Sequence, residues 1–207
     1  MQKKEIAFCE LVKPTPKNIS RSDAILSDQE YGKKLVEEMD LEPFLKEYEW
    51  VTGLALQLVN RTERPDFIIQ RSDGTQLGVE LTKVMRDPES AFWARVLNGE
   101  EQADPIDTAI HLQKLIYRKD IKRSGSGWTL PDRTVLVLQL MDSSIDQVVL
   151  FLDDQVIKEL NETGFFEIWL TDYTILDAFG TIQLYGIKPK RWQGLHSHSR
   201  TGNKPYG

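Results

Sequence analysis

The sequence predicts an α/β protein with a central mixed β-sheet flanked by helices. Two strand-like segments, 66–71 and 75–84, lie on either side of the turn-forming Ser72-Asp73-Gly74. The run of β-branched residues and leucines at 134–141 is typical of a buried strand. Helical patterns stand between the strand-like segments, and this order favours helices packed on a mixed sheet.

Helical signals open the first half of this order. Ser27-Asp28-Gln29-Glu30 is a capping-box pattern, which predicts a helix that starts near Asp28. Pro43 suits the first turn of a second helix. That helix carries one apolar stripe, made by Phe44, Tyr48, Val51, Ala55 and Leu58. After the strand pair, residues 89–98 predict a short helix.

Helices and strands alternate in the second half as well. Asp104 caps a helix that has Pro105 in its first turn and runs to about Arg123. After the strand at 134–141, Ser144 caps a helix that extends to about residue 160. Two further buried strands are predicted at 165–170 and 181–187.

Composition excludes several classes of protein. The 207 residues suffice for one domain, and 32 acidic against 26 basic residues exclude a histone-like polycation. Cys9 is the only cysteine, so neither an intrachain disulfide nor a cysteine zinc cluster can form. Apolar runs such as 148–152 are too short to span a bilayer, and no signal-peptide core follows Met1. We therefore expect a cytoplasmic protein without membrane association.

The charge distribution divides the chain into three parts. We expect an N-terminal arm at 1–24, a single α/β domain at 25–187 and a basic C-terminal tail at 188–207. No acidic residue follows Asp177. The tail instead combines basic residues with aromatic ones, namely Lys188, Lys190, Arg191, Arg200 and Lys204 with Trp192 and Tyr206. Such a tail can hold a nucleic-acid backbone and stack on bases, and a solvated terminal arm is the alternative.

The turn of the hairpin decides which side chains share a face. Ser72-Asp73-Gly74 fits a three-residue loop that ends in a left-handed glycine, so that Arg71 pairs with Thr75. In this register Asp66 falls directly opposite Glu80, with Cβ atoms about 5 Å apart. The other face is then uniformly apolar: Phe67, Ile69, Leu77, Val79 and Leu81. A two-residue Asp-Gly turn would split this apolar set, so the three-residue loop is favoured.

Two carboxylates held this close repel each other when both are ionised, and a cation between them relieves the repulsion. Carboxylate oxygens are hard ligands that suit Mg²⁺ or Mn²⁺. A metal bound in this way activates water and neutralises charge on a phosphodiester. Asp66 and Glu80 therefore predict a divalent-metal site, and two solvated surface carboxylates are the alternative.

Pro65-Asp66 and Glu80-Leu81-Thr82-Lys83 resemble the signature of the PD-(D/E)XK nuclease superfamily, the restriction-endonuclease-like fold. The element order over roughly residues 42–142 also looks like the αβββαβ core of that family. The resemblance implies a Mg²⁺- or Mn²⁺-dependent nuclease that hydrolyses nucleic-acid phosphodiesters, with DNA as the expected partner. It further implies that Asp66 and Glu80 bind the metal and that the Leu81 carbonyl completes the metal sphere.

One position departs from the family pattern. Thr82 stands where the usual lysine would be, and there it would orient water or phosphate. The positive charge would then come from Lys83, if a β-bulge re-aims it, or from Lys114 on the following helix. A third carboxylate would be Glu47, which flanks the apolar stripe of the preceding helix. Ordinary solvated residues are the alternative for Lys114 and Glu47.

A basic stripe on the helix at 105–123 is a further candidate for nucleic-acid binding. His111, Lys114, Arg118 and Lys122 lie beside an expected apolar face of Ile106, Ala109, Ile110, Ile116, Tyr117 and Ile121. Lys188, Lys190 and Arg191 of the tail would contribute to the same partner surface. Two rivals remain open: a nuclease-fold DNA-binding or assembly module without catalysis, and an interaction protein with solvated hairpin acids. The sequence leaves the substrate form and the oligomeric state undetermined.

Overall fold

One long helix is followed by three consecutive strands, and helices and further strands come after them. The computed structural model describes residues 28–85, 104–174 and 182–197, apart from the side chains of 28–34. The helices are α1 (Asp28–Thr52), α2 (Pro105–Arg123), α3 (Ile145–Val148) and α4 (Asp154–Glu162). The strands are β1 (Leu56–Arg61), β2 (Phe67–Arg71), β3 (Gln76–Val84), β4 (Thr134–Leu140), β5 (Glu167–Asp172) and β6 (Gln183–Lys188).

The six strands form one open mixed sheet in the order of the chain, β1 to β6. β1, β2 and β3 are a meander of antiparallel neighbours. β3, β4 and β5 run parallel, with helices in the connections, and β6 returns antiparallel to β5. The predicted class, an α/β protein with a mixed sheet and flanking helices, is confirmed.

Each face of the sheet carries its own apolar cluster. By compactness the chain divides after Leu35, and the whole sheet lies in the unit of residues 36–207. On one face, Leu41, Phe44 and Tyr48 of α1 pack on alternate residues of the strands. On the other face, α2, α3 and α4 pack on the remaining set, which includes Leu136, Leu138 and Ile168. Alternation of side chains therefore assigns each strand residue to one of the two layers.

A buried carboxylate lies within the α1 layer. Glu167 is 0% exposed and is held by Arg71 at 3.0 Å. Tyr48 donates its hydroxyl to the same oxygen at 3.2 Å, and the indole N–H groups of Trp169 and Trp192 donate to Glu167 at 2.9 and 3.1 Å. Burial, followed by the charge of Glu167, raises the pKa of Tyr48. This network joins β2, β5 and the chain after β6.

The first helix differs from the expectation. α1 runs unbroken through Pro43, whereas the sequence pattern predicts two helices. Gly53, at φ +72°, ends the helix, and its N–H donates to the Glu49 carbonyl at 2.8 Å. The next residues form the edge strand β1, which pairs with β2 from Leu56 opposite Arg71 onward. Leu58 belongs to that strand, where it pairs with Ile69. Its spacing in the sequence fits a helix and a strand equally well, so the pattern alone does not decide between them.

The helix predicted from Ser144 to about residue 160 is broken in two. α3 ends at Val148 and passes through a 3-10 turn, and α4 begins after Asp153. The Asp153 carboxylate accepts the Val156 N–H at 2.8 Å and so starts a new helix. The helix predicted from Pro105 to Arg123 is confirmed at both ends.

Part of the segment predicted as a tail folds back against β6. The Gly186 N–H donates to the Leu195 carbonyl at 3.0 Å, and a Cβ on Gly186 would meet the Trp192 carbonyl oxygen at 2.1 Å. The predicted arm at 1–24, the helix at 89–98 and the end of the tail lie outside the described residues. Within the described ranges, no helix combines the length and the apolarity that a membrane crossing requires.

Candidate active site

The hairpin has the predicted register. The Arg71 N–H donates to the Thr75 carbonyl at 2.9 Å across the loop. Gly74 closes the loop in the left-handed region at φ +85°. Phe67 then pairs with Val79, which places Asp66 opposite Glu80 on the face that α2 covers.

The position of this acidic pair in the ladder brings the two side chains close. Arg71 and Thr75 are a hydrogen-bonded pair, and such pairs alternate with non-hydrogen-bonded ones along an antiparallel ladder. Counting back, Asp66 and Glu80 extend the ladder as a non-hydrogen-bonded pair, the type in which side chains approach more closely. The Leu81 N–H donates to Asp66 Oδ2 at 2.8 Å and fixes the carboxylate across the strands.

The backbone before β2 is held in place by packing. A Cβ on Gly78 would lie 2.5 Å from Pro65 Cγ, so the ring of Pro65 packs directly on the backbone of β3 at Gly78. The Thr62 hydroxyl donates to the Pro65 carbonyl, and the Thr62 N–H donates to the Asp66 carbonyl at 2.9 Å. The position of Pro65 and Asp66 therefore depends on the absence of a side chain at Gly78.

Charge and burial act on Asp66 together. Asp66 is partly buried and Glu80 is 6% exposed. Burial first, and then the negative charge of Glu80, raise the pKa of Asp66 from 3.8 to about 7. The Leu81 N–H opposes this increase in pKa, because it stabilises the carboxylate. The two acids therefore share one electrostatic environment, as the hairpin register predicts.

The cation of the site is Lys119, which the sequence analysis did not identify. Lys119 Nζ forms an ion pair with Glu80 Oε1 and lies on the α2 face that packs on the sheet. The positive charge of Lys119 also lowers the pKa of Asp66. The buried row Thr108, Leu112 and Leu115 continues to Lys119 at helical spacing. That row is the signal in the sequence that points to Lys119.

The predicted apolar face of α2 was partly wrong. Ile106, Ile110, Tyr117 and Ile121 are exposed, because Leu112 and Leu115 set the buried face instead. Lys114 is exposed, and five residues separate it from Lys119, which is about 140° of helix rotation. Lys114 therefore points away from the face on which Glu80 lies.

Lys83 also points away from the acidic pair. It forms an ion pair with Asp40 of α1 at 3.0 Å, on the opposite face of the sheet from Glu80. The β3–β4 register runs without a bulge from Gly78 opposite Thr134 to Val84 opposite Leu140. Regular alternation therefore holds Lys83 in the α1 layer.

A further carboxylate acts on Asp66 from α1. The charge of Glu37 contributes to the increase in the pKa of Asp66. Glu47, the expected third carboxylate, is half-buried ten residues further along α1, which is about 15 Å along the helix axis. Of these two acids, Glu37 is therefore the one whose charge acts on Asp66.

Two more oxygens, the Thr82 hydroxyl and the Leu81 carbonyl, belong to the candidate site. Thr82 is 8% exposed on the face of Glu80, and its hydroxyl makes no hydrogen bond to any described residue. In a strand, the N–H and C=O of one residue point to the same side. Since the Leu81 N–H reaches Asp66, the Leu81 carbonyl faces the β2 side as well.

Most of the expected nucleic-acid contacts on α2 are accessible. Lys114, Arg118 and Lys122 are exposed, and His111 is half-buried. Burial, followed by the charge of Arg118, lowers the pKa of His111. The exposed members form a basic strip along one side of α2.

The basic residues after β6 have mixed surroundings. The Lys188 ammonium donates to the Thr163 carbonyl, and burial lowers its pKa. Arg191 stacks at 4.6 Å over Trp192, with its guanidinium 3.6 Å from Glu167. Lys190 is exposed. Lys188 and Arg191 therefore make contacts within the fold, in addition to any role in binding at the surface.

The donor set fits a small hard cation that keeps several waters. In the described ranges, no group of three or more His, Cys, Asp and Glu side chains has the geometry of a metal site. Two carboxylates and one backbone carbonyl are nevertheless the donors that Mg²⁺ uses when water and phosphate supply the rest. Burial first, and then the charge of Glu80, raise the pKa of Asp66, and a bound cation would lower it again.

Comparison of the chain with protein-family models, curated proteins and solved structures finds no match.

Proposed function

We propose that this protein is a metal-dependent nuclease that hydrolyses phosphodiester bonds of nucleic acid, with DNA as the substrate. The observation that carries the proposal is the acidic pair of Asp66 and Glu80 with the lysine of α2 on Glu80. Within the described residues, the order α1, β1, β2, β3, α2, β4 is the αβββαβ order that the resemblance to the restriction-endonuclease-like fold implies, and it supports the same proposal.

Each residue of the site has a defined role in this reaction. Asp66, Glu80 and the Leu81 carbonyl would hold a Mg²⁺ or Mn²⁺ ion, which supplies an activated water and charge neutralisation at the phosphate. The Thr82 hydroxyl has hydrogen-bonding capacity for water or a phosphate oxygen. The Lys119 ammonium stabilises the charge that develops on the phosphate.

The basic strip of α2 supports a nucleic-acid partner. Lys114, Arg118 and Lys122 are exposed on the helix that carries Lys119. A phosphate backbone bound along this strip would gain ionic contacts with all three side chains. The net charge of −6 makes such a local basic surface necessary for binding.

A hydrolysis assay tests the proposed function. Single-stranded DNA, duplex DNA and RNA would each be incubated with the protein and Mg²⁺ or Mn²⁺. Glu80→Gln should abolish cleavage, because it removes a metal ligand. Glu42→Gln is the matched control, since Glu42 is exposed and forms an i,i+4 pair with Lys46. Cleavage that survives Glu80→Gln at the wild-type rate would contradict this site.

A catalytically inactive DNA-binding or protein-interaction module of the same fold is the second candidate. It is favoured by Thr82, which replaces the family lysine, and by the lysine that already neutralises Glu80. DNA binding measured by fluorescence anisotropy, without turnover in Mn²⁺, would support this module. Turnover that depends on Glu80 would exclude it.

A further inference from the structure

We propose that Lys119 and the divalent cation compete for Glu80, so that metal loading and the release of the Lys119 ammonium toward the phosphate occur together. This inference rests on the proposed metal site at Asp66 and Glu80. It adds a regulatory exchange to that site, in which one lysine has two successive partners.

Burial makes the charge of Glu80 costly. Glu80 is 6% exposed, and a carboxylate removed from water needs a compensating charge. Lys119, whose side chain is 22% exposed, supplies that charge by contact with Oε1. The neighbouring carboxyl of Asp66 supplies no positive charge to Glu80. The ion pair therefore stabilises Glu80 while the metal is absent.

The metal and Lys119 would need the same carboxylate. A divalent cation shared by Asp66 and Glu80 must contact carboxylate oxygens of both residues. The Lys119 ammonium lies on one oxygen of Glu80. A divalent cation and an ammonium on the same carboxylate repel each other at short range, so each weakens the binding of the other to Glu80.

The exchange moves the side chain of Lys119 and not the helix. The end of α2 is fixed, because Asp120 Oδ1 accepts from Arg123 Nε at 2.9 Å and from the Gly164 N–H at 3.0 Å. Arg123 also donates to the Pro131 carbonyl at 2.9 Å. The exchange therefore involves the flexible four-carbon stem of Lys119 and leaves the helix in place. Displaced by the metal, the ammonium stays at the site and meets the phosphate there.

Titration calorimetry with Mn²⁺ tests the exchange, with Lys119→Met and the surface control Lys46→Met. Lys46 pairs only with Glu42 on the exposed side of α1 among the described residues. Lys119→Met should bind Mn²⁺ roughly tenfold more tightly than the wild type, because no ion pair has to be broken. Lys46→Met should bind it as the wild type does.

A second readout uses the wild type alone and is independent of the folding of the variant. Acetylation of lysines, mapped by mass spectrometry, should increase at Lys119 when Mn²⁺ is added and stay constant at Lys46. Unchanged reactivity of Lys119 in saturating Mn²⁺ would overturn the exchange.

The outcomes separate this inference from the proposed function. Equal or weaker Mn²⁺ binding by folded Lys119→Met overturns the exchange and leaves the metal site intact. Absence of Mn²⁺ binding in both proteins overturns the metal site and the exchange together. If Lys119→Met binds Mn²⁺ more tightly and the wild type cleaves no nucleic acid, the exchange is supported and the nuclease function is overturned.

Discussion

Lys119 of α2 contacts Glu80 of β3 across 39 residues of sequence. The contact follows from topology, because the crossover between the parallel strands β3 and β4 carries α2 over the face on which Glu80 lies. A helix that packs on this face places one residue of its buried row beside the acidic pair. The cation on this face therefore comes from a helix, because Lys83 of β3 lies on the opposite face.

The identity of the catalytic cation gives the first prediction. Lys119→Met should lower the rate of DNA hydrolysis by about 10²-fold or more, because the transition-state charge loses its stabilising ammonium. Lys83→Met should leave the rate unchanged, since Lys83 pairs with Asp40 on the opposite face. Single-turnover rates at saturating Mn²⁺ measure both effects. A loss with Lys83→Met that equals the loss with Lys119→Met would refute this assignment.

A second prediction concerns the glycine below the Pro-Asp motif. Gly78→Ala should reduce the free energy of unfolding by about 1–3 kcal/mol, because its Cβ overlaps the rigid ring of Pro65. It should also weaken Mn²⁺ binding, since Asp66 follows that proline. Urea denaturation and calorimetry measure the two effects.

Gly74→Ala provides the comparison for Gly78→Ala. A Cβ at Gly74 meets nothing within 4 Å, but φ is +85° there. The substitution should cost about 1–2 kcal/mol of backbone strain without any change in Mn²⁺ binding. If both alanine variants lose stability and both keep full Mn²⁺ affinity, Pro65 does not position Asp66.

The hairpin was predictable because its pattern is local. Ser72-Asp73-Gly74 fixes the loop, and the apolar alternation of β2 and β3 admits one register, so Asp66 and Glu80 could be paired from the sequence. β1 was not predictable in the same way, since Leu58 extends the helical stripe that begins at Phe44. Pairing with β2 decides its structure, and that contact lies outside any short window.

Lys119 was missed for a different reason. α2 has apolar residues on two faces, and Ile106, Ile110, Tyr117 and Ile121 form a longer stripe than the row that is buried. A spacing argument cannot decide between two apolar stripes on one helix. The tertiary packing of Leu112 and Leu115 does so, and it moves the useful lysine from Lys114 to Lys119.

The buried ion pair in the α1 layer gives a third prediction. Arg71→Met should destabilise the fold by about 3 kcal/mol, because the buried Glu167 would keep only the more distant Arg191 guanidinium, at 3.6 Å, as a charged partner. The double variant Arg71→Met/Glu167→Gln should recover part of this loss, as the uncompensated charge is removed. Mn²⁺ should still raise the melting temperature of both, since the network lies on the opposite face from Glu80. Equal stability of the single and double variants would contradict a charge-based role.

The last prediction is the dependence of stability on pH, and its sign follows from Asp66. The carboxyl has a pKa of about 7 in the folded protein against 3.8 ordinarily, so between these values the folded state holds a proton that the unfolded state has released. Stability from this group is complete below pH 3.8 and is lost as the pH rises through 7. Asp66→Asn removes this loss, so its melting temperature relative to the wild type should increase from pH 4 to pH 8. Asp132→Asn, with a 96% exposed side chain, should follow the wild-type curve throughout. Saturating Mn²⁺ at pH 8 should stabilise the wild type and Asp132→Asn but not Asp66→Asn, because the ion needs the ionised carboxylate of Asp66. A constant difference between Asp66→Asn and wild type over this range would show that Asp66 does not carry the raised pKa.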